Sequence, residues 1–80
     1  MNIVKRIYTA PIVKIINGDL GTALAIEYDG LSFMGYSQCH PQDNDFASAR
    51  VGYNIALSRA RISALKHEYN KAKERYNNKY

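Results

Sequence analysis

The stretch that decides the fold is Thr22-Ala23-Leu24-Ala25-Ile26-Glu27-Tyr28-Asp29-Gly30-Leu31-Ser32-Phe33-Met34-Gly35-Tyr36-Ser37-Gln38. Its first half alternates, with Thr22, Leu24, Ile26 and Tyr28 on one face and Ala23, Ala25 and Glu27 on the other. That is the period of a β-strand with one face covered. Asp29-Gly30 is the two-residue signature of a type I′ turn, whose central positions both need positive φ. Leu31 to Gln38 then returns as the second strand of a hairpin. Gly35 interrupts it and marks a bulge, the expectation taken here, or a place where another backbone or a ligand comes close.

Toward the N-terminus, Ile3 to Tyr8 and Ile12 to Ile16 are rich in β-branched residues and read as one bent strand or two strands around Thr9-Ala10-Pro11. Asn17-Gly18-Asp19 reads as a turn. Toward the C-terminus, Cys39-His40-Pro41-Gln42-Asp43-Asn44-Asp45 is a polar corner. Pro41 stops the strand there, and Asp43, Asn44 or Asp45 can cap a following helix. From Phe46 onward there is no proline, and alanine, leucine, arginine and lysine dominate. The expected fold is α+β: one domain over residues 1–80, with a three- to four-stranded antiparallel sheet (1–38), a corner (39–45) and one long C-terminal helix (46–79).

At 100° per residue that helix carries two apolar stripes. Phe46, Ala49, Tyr53, Ala56, Leu57, Ala60 and Ala64 lie on one side, and small residues at Ala49, Gly52, Ala56 and Ala60 let it approach a sheet closely. Ile55, Ile62, Leu65, Tyr69 and Tyr76, with Ser58 and Ala72, follow a heptad spacing on nearly the opposite side. One small sheet covers one side of a helix, so this second stripe is expected to be an interface, unless the N-terminal strands wrap over it. Antiparallel helix pairing across a twofold axis is the simplest solution.

Size points the same way. Eighty residues bury a small core, and such domains usually add a disulfide, a metal or a second subunit. Cys39 is the only cysteine, and Cys39, His40 and His67 are too few soft ligands for a structural zinc site. A homo-oligomer, dimer or higher, remains, with no metal or cofactor. A lone thiol, no secretory leader and no membrane span suggest a cytoplasmic protein.

The net charge is +4, and the excess sits between Arg59 and Lys79, where seven Lys and Arg residues face only Glu68 and Glu74. Arg59, Lys66 and Lys73 recur every seven residues along one flank of the second stripe, and Arg50 and Arg61 lie on the other. These five are the candidate contacts for an anionic ligand, a nucleotide or nucleic acid. Tyr53, Tyr69 and Tyr76 offer stacking surfaces for a base. An activated Cys39-His40 pair is disfavoured because neighbouring strand residues point to opposite faces. His67 lies well along the helix and has no obvious orienting carboxylate. Neither a phosphate loop nor a paired-carboxylate motif is present, so no catalytic residue is expected.

Gly35-Tyr36-Ser37-Gln38-Cys39-His40-Pro41-Gln42-Asp43, followed by Phe46, Gly52, Ile55-Ala56-Leu57 and Arg59-Ala60, resembles a pattern of small phage and prophage proteins: G-x-x-x-C-x-P-x-D-x-F, then G, L-A and R-A. A related pattern occurs in small actinobacterial proteins similar in fold to double-stranded-RNA-binding domains. The resemblance covers residues 35–60, and Asn44-Asp45 makes the spacing before Phe46 one residue longer than its tightest form. It implies a viral anti-defence protein that inhibits host immunity by stoichiometric binding in the host cytoplasm. Such proteins block a CRISPR or nuclease effector, as anti-CRISPR proteins do, or sequester a nucleotide signal such as the cyclic ADP-ribose messengers of Thoeris systems. The alternative is a nucleic-acid-binding module of the double-stranded-RNA-binding type. Against that alternative stand the absence of an expected first helix and of a lysine cluster at a helix N-terminus.

Overall fold

A computed structural model describes residues 3–18, 20–38 and 46–79. The order is α1 (Ile3–Tyr8), β1 (Ile12–Gly18), β2 (Gly21–Tyr28), β3 (Leu31–Gln38) and α2 (Phe46–Lys79). The strands form one antiparallel sheet in the order β1-β2-β3, followed by the long helix, an α+β arrangement. The corner 39–45 and the caps expected at Asp43 to Asp45 lie outside the described residues, as do the side chains of Phe46 and Ala49.

The hairpin forms as its sequence dictates. Asp29 and Gly30 have φ of 57° and 73°, the two positive values of a type I′ turn. Leu24 and Ile26 are essentially inaccessible, and Thr22 and Tyr28 are buried beside them. Gly35, however, is not a bulge. It pairs in regular register with Leu24, and the sheet's irregularity falls in β1, between Ile12 and Lys14. A Cβ at Gly35 would collide with the Ala56 carbonyl oxygen and lie 2.6 Å from the Ala60 nitrogen. The glycine is there because the backbone of α2 passes directly over it.

That contact explains the small-residue stripe. Ala56, Ala60 and Ala64 have no exposure and Gly52 is buried, so α2 lies close across β2 and β3. Tyr53 and Leu57 pack partly buried against the same core. Ser37 Oγ is buried 3.2 Å from where a Gly52 Cβ would sit, and finds no hydrogen-bond partner among the described residues.

The first segment corrects the sequence reading: Ile3–Tyr8 is a helix, not a strand. As a strand it would place Lys5 on the same face as Ile3 and Ile7. As a helix it gathers Ile3, Val4 and Ile7 within one sector and turns Lys5 and Arg6 outward. Ile7 reaches the core at 1 % exposure. Thr9 closes the helix, its amide and its hydroxyl each donating to the Lys5 carbonyl at 3.0 Å, and Pro11 follows. Local β-propensity lost to the burial of one isoleucine.

A 34-residue helix is about 51 Å long, and the molecule measures 52 × 20 × 17 Å. The helix therefore sets the long axis, and its C-terminal part runs on past the sheet. No helix among the described residues is long and apolar enough to cross a membrane.

Candidate functional site

The second stripe of α2 faces away from the sheet along its length. Ile55, Ile62 and Leu65 are 38–49 % exposed, and Tyr69 and Tyr76 about two-thirds exposed. Neither β1 nor α1 wraps over it: β1 pairs only at the far edge of the sheet, and α1 lies against one flank. Val51, 53 % exposed, extends the stripe by one turn. Sequence reasoning missed it, although its spacing of four before Ile55 continues the alternation of threes and fours. An open groove of about 390 Å³ runs along this face, lined by Val51, Asn54, Ile55, Ser58, Arg59 and Ile62. The structure thus joins two of the expected interface residues to one of the expected cations.

The other cations separate into two groups. Arg59 Nη1 donates to the Tyr36 carbonyl at 2.6 Å, so this guanidinium lies at β3. Arg61 Nη2 donates to the Tyr8 carbonyl at 3.0 Å, and its guanidinium stands 4.2 Å from the centre of the Tyr8 ring. Arg61 therefore fastens α1 to α2, a structural task that sequence reading did not assign to it. Arg50, Lys66 and Lys73 are exposed and make no ion pair among the described residues. Of the stacking tyrosines, Tyr53 is half-committed to the core while Tyr69 and Tyr76 are largely solvent-exposed.

A second cluster, unforeseen, ties the hairpin tip to the middle of α2. Asp29 Oδ2 accepts from Lys71 Nζ at 2.7 Å and lies 3.2 Å from His67 Nε2. Tyr28 donates its hydroxyl to Glu68 Oε1 at 2.9 Å, and Lys71 Nζ stands 3.8 Å from the same oxygen. The His67 ring also packs on Phe33, with centroids 5.3 Å apart. His67 does have a carboxylate neighbour, contrary to the sequence reading, because Asp29 is brought to it across the fold. Hydrogen bonds from Lys71 and His67 hold the Asp29 carboxyl below the usual carboxylate range. Burial first, and then the hydrogen bond to Glu68, push the Tyr28 phenol up.

Ligand atoms of Asp29, His67 and Glu68 lie within 4.8 Å of one another, a spacing that a divalent cation would accept. Lys71 already brings its ammonium to both carboxylates, so a metal would have to displace that side chain. Its partners are 38 to 42 residues apart, a distance no local motif signals. We read it as a clamp between the hairpin and α2. No family profile matches the chain, and no curated protein and no solved structure matches it.

Proposed function

We propose that the chain is a non-catalytic binding protein that works as a homodimer, its α2 helices paired through Val51, Ile55, Ile62, Leu65, Tyr69 and Tyr76. The ligand is an anion, a nucleotide or nucleic acid, taken by the basic flanks of that pair. The biological setting, on the resemblance in residues 35–60, is cytoplasmic counter-defence by a phage, with host immunity inhibited by stoichiometric capture of a nucleotide signal or occlusion of an effector. The observation that carries the dimer is the exposure of an apolar stripe opposite the core, continuing past the end of the sheet.

Sedimentation equilibrium tests it. The wild type should be a dimer at micromolar concentration, and Ile62→Glu with Leu65→Glu a folded monomer. A wild type that stays monomeric at high concentration removes the reading. Calorimetric titration with nucleotides and with short duplexes then reads the anion directly.

A second reading gains from one observation. The helix expected at the front of a double-stranded-RNA-binding-type module is present as α1, and Ile7 joins the same core as α2. The order α-β-β-β-α therefore supports a duplex-binding module. The first turns of α2 still carry Arg50 and no lysine. A gel shift with duplex RNA at low salt decides it: retained duplex favours this reading, and free duplex eliminates it.

A further inference from the structure

Over its full length the α2 stripe is complementary to itself when read antiparallel, and that register has a consequence for the ligand. In chain order the stripe runs Val51, Ile55, Ser58, Ile62, Leu65, Tyr69, Ala72, Tyr76. Read against its own reverse about a point between Ile62 and Leu65, it sets Val51 against Tyr76, Ile55 against Ala72, Ser58 against Tyr69 and Ile62 against Leu65. Large residues at one end meet small ones at the other, as the packing of two helices along a seam requires. A parallel pair would instead stack Tyr69 on Tyr69 and leave Ser58 facing Ser58. The same register lays the part of each α2 that outruns its own sheet along the Val51–Ile55 end of its partner.

In an antiparallel pair related by a twofold axis, like flanks share a groove. One groove then receives Arg59, Lys66 and Lys73 from both copies, with no acidic residue of the stripe's own flank among them. The other receives Arg50, Arg61 and Arg75 together with Glu68, whose carboxylate is engaged by Tyr28. Arg59 uses one nitrogen on Tyr36, while Lys66 and Lys73 have no partner among the described residues. Arg59 and Lys66 of each copy fall within about 13 Å along the helix axis around the twofold. Like charges so close repel, and a bound polyanion relieves them.

We propose that two copies pair antiparallel about a twofold axis between Ile62 and Leu65, and that the groove lined by Arg59, Lys66 and Lys73 of both binds a ligand bearing two or more phosphates. The site is incomplete in one copy. The proposal rests on the dimer reading above, and adds to it the register, the groove and the coupling between ligand and assembly.

Two measurements test it separately from that reading. In a Cys39→Ser background that dimerises, copies carrying Ser58→Cys mixed with copies carrying Tyr69→Cys should form an oxidised cross-link, and neither variant alone should. Within one variant the like positions lie about 16 Å apart along the axis. A wild-type dimer that gives no mixed cross-link overturns the register and leaves the dimer standing; a monomer overturns both.

For the groove, inorganic tripolyphosphate should tighten wild-type dimerisation several-fold in sedimentation equilibrium. Lys66→Ala should dimerise several-fold more tightly without tripolyphosphate and lose most of the response to it. A dimer indifferent to tripolyphosphate overturns the ligand assignment. Tightening by tripolyphosphate but not by a single-stranded oligonucleotide assigns a compact phosphate ligand; the reverse assigns a nucleic-acid strand.

Discussion

Gly35 has no room for a side chain, because the carbonyl of Ala56 and the amide of Ala60 occupy the position a Cβ would take. Gly35→Ala would push α2 off the sheet along the whole alanine stripe, and should destabilise the fold by about 3 kcal/mol. Urea denaturation followed by circular dichroism measures it, and a loss below about 1 kcal/mol would show that α2 can lift without cost. At the hairpin tip, the Asp29 carboxyl is held below its ordinary value by hydrogen bonds from Lys71 and His67. A carboxyl depressed in the folded state contributes stability that is present above its unfolded pKa and lost as pH falls through the folded one. Wild-type stability should therefore fall on acidification below about pH 4, and Asp29→Asn should flatten that limb. Tyr28 has the opposite sign: its raised phenol contributes stability below pH 10 that is lost as pH rises through its folded value.

Between elements, the attachment of α1 is specific enough to take apart. Ile7 enters the core, while Arg61 donates to the Tyr8 carbonyl and covers the Tyr8 ring. Ile7→Ala should cost about 2–4 kcal/mol in global stability. Arg61→Ala should cost about 1 kcal/mol or less and act locally, raising amide hydrogen exchange in Lys5 to Ala10 while leaving β2 protected. If exchange rises equally everywhere, Arg61 is supporting the core rather than α1. This double role means that Arg61→Ala is a poor probe of ligand binding. Arg59, bonded to Tyr36, has the same drawback. Lys66 and Lys73 make no such contacts among the described residues, and Lys73→Ala should lower anion affinity with stability within about 0.5 kcal/mol of wild type.

For the whole molecule, the two faces of α2 predict opposite outcomes for similar insults. Ala60→Leu, on the buried face, should unfold the domain, since Ala60 has no exposure and sits on the β3 backbone. Ile62→Glu, two residues on but on the opposite face, should leave the far-ultraviolet spectrum of the domain intact and halve its mass in solution. If both variants unfold, the stripe belongs to the core after all.

The hairpin and the two stripes were legible because each is a periodic pattern in contiguous sequence. Alternation in Thr22 to Tyr28 fixes which face is buried, Asp29-Gly30 has one turn to make, and apolar residues at threes and fours must line one side of a helix. What tertiary structure alone decided lies where local preference is weak or partners are distant. Ile3 to Tyr8 has strand propensity, yet becomes a helix because only that conformation buries Ile7 without Lys5. Gly35 looks like a bulge until the backbone of α2 is laid on it. Asp29 and His67 meet because the hairpin tip is carried to the middle of the helix, nearly forty residues away. Short-range order follows from the chain's own stereochemistry, whereas these contacts depend on which surfaces can close together.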